Sequence, residues 1–282
     1  EVDLMSQLTS AVSAAARAIQ AAEGLLVTAG AGFGVDSGLP DFRGTEGLWQ
    51  AYPPLGKRRL GFSDAANPAW FESDPNFAWG FYGHRLNLYR RTVPHQGFAQ
   101  LLEWGKACRY GTSVFTSNVD GQFQKAGFTD VCECHGSIHW LQDLDGHRIW
   151  PADDVSLPEV DPEILDVSDE DLPRCPQTGG LARPNILMFG DWGWNASRSA
   201  VQERELREFL AAVPASGLVV VEAGAGHHVP TVRMFGERLA ARGSTLIRLN
   251  PRDVDVPRPG SLRGEAISIP LGAKEALEKI GR

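Results

Sequence analysis

Four short clusters in this chain combine reactive side chains with unusual backbone freedom. Thr28-Ala-Gly30-Ala-Gly32-Phe-Gly34-Val-Asp-Ser-Gly38 follows the apolar run Gly24 to Val27, which has the length and make-up of a buried strand. Its glycines let the backbone turn sharply and approach a ligand closely, and the amides of such a turn can gather phosphate oxygens. The spacing is G-x-G-x-G rather than the dinucleotide fingerprint G-x-G-x-x-G, and no clear strand-end carboxylate follows about 20 residues later to hold a ribose. A nucleotide cradle and a plain tight turn both fit. Asn118-Val119-Asp120-Gly121 offers an amide and a carboxylate, although Asn and Asp before glycine also build turns. His135 stands at the end of the strand expected at Val131–Cys134; an imidazole titrates near neutrality and suits a general base, while a structural hydrogen bond is the plainer use. Gly224-Ala225-Gly226 follows another apolar run.

In their wider setting these clusters resemble the signatures of the sirtuins, the NAD-dependent protein deacylases. Gly30-Ala31-Gly32 with Ser37-Gly-Leu-Pro-Asp41-Phe42-Arg43 resembles the N-terminal signature. Thr116-Ser117-Asn118-Val119-Asp120-Gly121 is similar to T-Q-N-I-D-G, His135-Gly136-Ser137 to the catalytic H-G-S, and Arg183-Pro-Asn-Ile-Leu-Met-Phe189-Gly190-Asp191 to R-P-x-V-V-x-F-G-E. Gly224-Ala225-Gly226-His-His-Val229 stands, more weakly, where sirtuins carry G-T-S-L-x-V. The ordered matches span roughly residues 20 to 275.

The resemblance implies NAD as cofactor and an acylated protein or peptide as the second substrate. His135 would act as general base toward a ribose hydroxyl, with Asn118 near that ribose and an ordered water. Asp120 would bind the nicotinamide carboxamide, Phe42 would cover the nicotinamide pocket, and Arg43 would fix the loop beside Asp41, which is equally suited to cap a helix. Gly224, Ala225 and Gly226 would meet the pyrophosphate, Asn250 the adenosine ribose, and Gly272 and Ala273 the adenine. The departures fall mainly on the acceptor side. Ser117 replaces a ribose-contacting glutamine, Trp192-Gly-Trp194-Asn follows Asp191, and His227-His228 replace an apolar position in the channel wall. They leave room for NAD hydrolysis or ADP-ribosyl transfer to another acceptor, or for a noncatalytic module that binds NAD or ADP-ribose.

Many sirtuins hold a small module together with zinc on two C-x-x-C pairs. Here the stretch Trp140 to Trp150 has no cysteine, and Cys175-Pro-Gln-Thr178 keeps one thiol of the second pair. A tetrahedral site needs about four ligands, so no metal is expected, and packing through Trp140, Leu144, Ile149, Trp150 and Leu172 must hold the module instead. Cys132 and Cys134, two apart on one strand face, are expected in the core.

The elements that must position these clusters follow from periodicity. A helix is expected over 5–22, with further helices at Gln96–Trp104, Ser197–Ala212, Val232–Ala241 and Ala273–Ile280. Strands are expected at Ser113–Ser117, Val131–Cys134, Asn185–Phe189, Gly217–Glu222, Ser244–Leu249 and Ala266–Ile269. Their alternation predicts an α/β fold with a Rossmann-like, doubly wound parallel sheet, whose ligand lies beyond the carboxyl ends of the strands. Residues 1–44, 96–138 and 181–282 are expected to form that domain. Two insertions, 45–95 with its aromatic run Trp70 to Tyr89 and the Asp- and Pro-rich 139–180, form a smaller one. The 282 residues, 43% hydrophobic and 22% charged, suit a large folded core, and a net charge of −8 argues against nucleic acid as partner. No apolar stretch is long enough to span a membrane, the first residues lack a signal-peptide layout, and four cysteines form no disulfide framework, so a cytoplasmic protein is expected.

Overall fold

The computed structural model describes residues 2–41, 44–258 and 260–281. The chain begins with α1 (Val2–Gln20), β1 (Gly24–Ala29), a 3₁₀ turn (Ala31–Ser37), α2 (Gly44–Ala51), α3 (Pro53–Lys57), α4 (Phe62–Ala65), α5 (Trp70–Ser73) and α6 (Pro75–Arg91). It continues through α7 (Gln96–Ala107), β2 (Thr112–Thr116), α8 (Gln122–Lys125), β3 (Val131–Glu133), β4 (Gly136–Asp143), β5 (Ile149–Pro151) and β6 (Ala182–Ile186). The last part carries α9 (Ser197–Ala212), β7 (Leu218–Ala223), α10 (Thr231–Ala241), β8 (Thr245–Leu249), β9 (Ala266–Ile269) and α11 (Ala273–Ile280).

Six of the strands form one parallel sheet in the order β3-β2-β1-β7-β8-β9. A strand buried on both faces reads as a continuous apolar run whose alternate residues feed two cores. In β1, Leu25, Val27 and Ala29 pack toward α7 and α11, while Leu26 packs among residues of α9 and α10. α11 presents Ala273, Ala276, Leu277 and Ile280 to the first core at helical spacing. The chain winds outward from β1 to β2 and β3, then returns to the middle and winds the other way through β7, β8 and β9. The reversal between β1 and β7 is the point at which a doubly wound sheet opens a crevice beyond its strand ends. No helix among the described residues is long and apolar enough to cross a membrane.

The helices α2 to α6 and a small antiparallel sheet, β5-β4-β6, share a separate core that includes Phe71, Trp79, Phe81, Tyr82, Leu141 and Leu165. This sheet corrects one expectation: the strand foreseen at Asn185–Phe189 forms at Ala182–Ile186 and pairs with β4, outside the parallel sheet. The strand is partly polar, because Arg183 is buried against Asp191 and Asn185 against Gln142, and the apolar count therefore misled. Asp74 caps α6 by accepting from Phe77 N at 3.3 Å. The same helix fastens the Asp- and Pro-rich insertion: Arg90 donates to Ala152 O and Val155 O, each at 2.7 Å, and Asn76 donates to Val167 O at 2.8 Å. Trp79 Nε1 donates to Ala182 O at 2.9 Å, which ties α6 to β6.

The turns that would carry two cysteine pairs do not fit a metal. In the first, Asp143 Oδ1 accepts from His147 N and Arg148 N at 2.7 and 3.1 Å. In the second, Cys175 N donates to Gly180 O and Gly179 N to Cys175 O, both at 2.8 Å. A hydrogen bond with the Thr178 side chain draws the Cys175 thiol below its ordinary pKa. Arg148 bridges the turns: its Nε donates to Gln177 Oε1 at 3.0 Å and its Nη1 lies 3.3 Å from Asp143 Oδ2. One thiol remains, the Asp143 carboxylate is already held by the His147 and Arg148 amides, and the Arg148 cation stands between the turns, a poor match for Zn²⁺. The thermal midpoint should therefore be unchanged by EDTA or by added zinc. Arg148→Ala, which breaks a half-exposed bridge, should cost about 0.5–1 kcal/mol in denaturant melts.

Candidate active site

Two glycine turns meet at the sheet reversal. Gly30 N donates to Ala223 O at 3.1 Å and Gly32 N to Gly224 O at 3.0 Å. A Cβ on Gly30 would lie 2.7 Å from Gly224 O, and one on Gly224 would lie 2.1 Å from Phe33 N. Gly224 also has φ +64°, a left-handed conformation open mainly to glycine. The loops are thus in backbone contact, and neither can carry a side chain there. Ala31 opens the 3₁₀ turn that ends at Ser37, and Gly226 sits where an added Cβ would be 3.3 Å from the Asp253 carboxylate.

Beyond β2, Ser117 N donates to Ala29 O at 3.2 Å and Thr116 Oγ1 to the same carbonyl at 2.9 Å. Asn118 Nδ2 then reaches Gly30 O at 3.0 Å, so the amide braces the first glycine turn. Its Oδ1 accepts nothing from the described residues. Val119 is buried, and its carbonyl accepts from Ile138 N at 2.9 Å.

Asp120 is buried, and among the described residues its Oδ1 accepts from Gln122 N alone, at 2.9 Å. Desolvation raises its pKa from 3.8 to about 6, with the Glu133 charge adding to the rise and Arg85 opposing it. His139 Nε2 donates to Asp120 O at 2.9 Å, which orients the segment from β4. Gly121, with φ +70°, is packed against that ring: a Cβ there would lie 2.6 Å from His139.

His135 follows β3. The Gly136 beside it has φ +79°, and a Cβ there would be 2.0 Å from Asn185 O, so the H-G sequence reflects close approach of β4 to β6. The imidazole is half-buried and makes no hydrogen bond to the described residues. Burial lowers its pKa, which keeps it neutral and able to accept a proton near pH 7. Its carbonyl accepts from Leu187 N at 2.9 Å, joining it to the Phe189 loop. That loop rests on a buried ion pair between Arg183 and Asp191, whose carboxylate also accepts from Met188 N and Gly193 N. Trp192 at its tip is fully exposed.

His135, Asn118, Gly30 and Gly224 therefore stand at the carboxyl ends of the adjacent strands β3, β2, β1 and β7, spanning three strand gaps or about 14 Å. Asn250 lies beyond β8, but both ends of its amide serve the protein: Nδ2 donates to Ala225 O at 3.0 Å, and Oδ1 accepts from Arg252 N and Asp253 N. Gly272 precedes α11, Ala273 is buried, and Lys274 N donates to Asp36 Oδ2 at 3.0 Å, which brings that turn to the first glycine loop. Asp41 pairs with Arg252 at 3.5 Å. Phe42 and Arg43 lie outside the described residues.

Sequence reasoning missed several groups here. His95 Nε2 donates to Phe33 O at 3.0 Å while Nδ1 accepts from Gly97 N at 3.0 Å, an arrangement that fixes a neutral tautomer behind the glycine turn. Arg85 is buried beside Asp120, donates to the Tyr89 hydroxyl at 3.1 Å, and lies 5.2 to 5.9 Å from the rings of Phe62, Phe81, Tyr82 and Tyr89. An arginine within an aromatic helix was the available signal.

A sequence model of the Sir2 family matches residues 30–221. The NAD-dependent protein deacylase 2 of Pyrobaculum aerophilum is 35% identical over 196 residues, covering 69% of this chain and 70% of that protein. The NAD-dependent protein deacylase 1 of Archaeoglobus fulgidus is 29% identical over 247 residues, covering 86% and 88%. Among solved structures, a Sir2 homologue complexed with NAD superposes with a TM-score of 0.69 at 23% identity, over 94% of this chain and 90% of that one. With glycine turns, N-x-D-G segment and H-G-S turn assembled on one sheet edge, the chain belongs to the Sir2 family.

Proposed function

We propose that the protein is an NAD-dependent protein lysine deacylase that transfers an acyl group to ADP-ribose and releases nicotinamide. The observation that carries this reading is the half-buried His135, neutral and without a hydrogen bond to the described residues, on the same strand edge as the paired glycine turns. The residues suit the cofactor: the glycine turns meet at the sheet reversal where a side chain is sterically forbidden, and Asp120 keeps acceptor capacity in a buried setting. When bound, NAD supplies a glycosidic bond whose breakage makes the ribose C1′ electrophilic toward the acyl oxygen of a modified lysine.

The chain's own groups would then bind and move protons. His135 would take a proton from a ribose hydroxyl as general base. Asn118, braced against Gly30, would present its side-chain oxygen toward the ribose. Asp120 would accept from the carboxamide N–H groups of the nicotinamide. Gly30, Ala31 and Gly32 with Gly224, Ala225 and Gly226 would line the phosphates, Ser117, Val119 and Asp41 would border the crevice, and Gly272 and Ala273 would close its far end. Asn250 would act by shaping its loop.

Incubation with labelled NAD and a mixed pool of acyl-lysine peptides should release nicotinamide only when peptide is present, and yield acyl-ADP-ribose. Peptide-independent formation of ADP-ribose would instead establish a hydrolase. His135→Ala should lower peptide-dependent release by about 100-fold or more, the scale of a lost general base.

Asp120 yields a separate prediction. Its pKa is raised in the folded state, so the carboxyl is accommodated at low pH and costs stability as it ionises between 3.8 and about 6. Asp120→Asn should therefore unfold at higher denaturant than the parent above pH 6, by at most about 3 kcal/mol. That advantage should vanish below about pH 4, while nicotinamide release is lost. Equal stability at pH 8 would contradict this account.

A further inference from the structure

Arg233 plays no part in the proposed proton transfers, yet it occupies a costly position. It lies in the first turn of α10, where the helix end is already positive, and is only 3% exposed. A buried cation at that end is disfavoured by the helix dipole and by desolvation, so its partners must offset both. Those partners come from two loops. Nη1 donates to Asp253 O at 2.7 Å and, more weakly, to Ala225 O at 3.4 Å. Nη2 donates to Asp255 O at 3.0 Å and pairs with Asp255 Oδ2 at 3.1 Å. Asn250 Nδ2 shares the Ala225 carbonyl, and Arg248 Nη1 shares that of Asp255.

Peptide planarity turns these contacts into a statement about amides. There is no cis bond among the described residues, so each carbonyl drawn toward α10 leaves the next residue's N–H on the opposite side. The amides concerned are those of Gly226, Val254 and Val256, and none donates to another described residue. Gly226 belongs to the turn whose Ala225 Cα sits 2.9 Å from a Cβ built on Gly30. Amides without a partner among the described residues can donate to an anion, and the guanidinium, already paired with Asp255, acts through the carbonyls it holds.

We propose that Arg233 is a positioning residue for the dinucleotide: it locks the Gly224–Gly226 and Asn250–Asp255 loops into one body and aims the Gly226 amide at the diphosphate half of the cofactor. The inference rests on the cofactor reading above. It acts on binding rather than on the proton transfer at His135, and this separates it from general structural damage.

Calorimetric titration with ADP-ribose of the parent chain, Arg233→Met and Arg233→Lys tests it. Arg233→Met should bind about tenfold or more weakly at unchanged stoichiometry, and should raise KM for NAD while kcat stays within about threefold. Arg233→Lys, which keeps the charge but not the fork, should fall between. Parental affinity in Arg233→Met, or in Arg233→Lys should the methionine variant not fold, would overturn the inference. A fall in kcat with unchanged KM would do the same. A parent chain that fails to bind ADP-ribose would instead sink the cofactor reading, and this inference with it.

Discussion

The site depends on one steric constraint, the backbone contact between the turns that follow β1 and β7. Two peptide segments approach to within hydrogen-bond distance only where no Cβ intervenes, and Gly30 and Gly224 meet that condition from opposite sides. Everything nearby is referenced to this contact. Asn118 braces its outer edge through Gly30 O, Asn250 and Arg233 hold its inner edge through Ala225 O, and His95 supports the 3₁₀ turn through Phe33 O. The parallel register of β1 with both β2 and β7 brings these segments to the same level, so secondary structure alone delivers residues nearly two hundred positions apart to one edge.

The charges around the site are arranged by burial as much as by pairing. Glu222 and Arg248 face each other across β7 and β8 and are both buried, with Nε 2.6 Å from Oε1, and Glu237 from α10 joins them at 2.9 Å. Glu133 is buried in the same manner against Arg198, which also lies 4.9 Å from the Trp140 ring. These clusters lock α9 and α10 to the sheet. Asp120 differs: among the described residues no cation is bonded to it, and burial raises its proton affinity. A carboxyl left in that state costs folding free energy as it ionises toward neutral pH.

Much of this was legible in the sequence. α9, α11 and β9 begin and end where periodicity puts them, because their patterns are long or flanked by clear breaks. The glycine turns, Asn118, Asp120 and His135 were singled out by the resemblance of their blocks to the sirtuin signatures, and the fold brings those segments to one edge of the sheet. The small sheet was not. β4 carries a register shift between Ser137 and Leu141, so strict alternation is absent, and β6 hides Arg183 and Asn185 behind partners that local sequence does not announce. Arg233 and Arg248 were illegible for a related reason: a buried guanidinium looks like any surface arginine until residues 7 to 26 positions away fold around it.

Trp192 draws out a last point. Its indole is wholly in solvent, while the carboxylate immediately before it is sealed against Arg183 at the base of the same loop. A side chain with no buried area contributes almost nothing to the folding equilibrium, so the residue at this tip is thermodynamically uncoupled from the base that carries it. Diversification at position 192 can proceed at nearly constant stability, while the ion-paired base holds the backbone from which each new side chain projects.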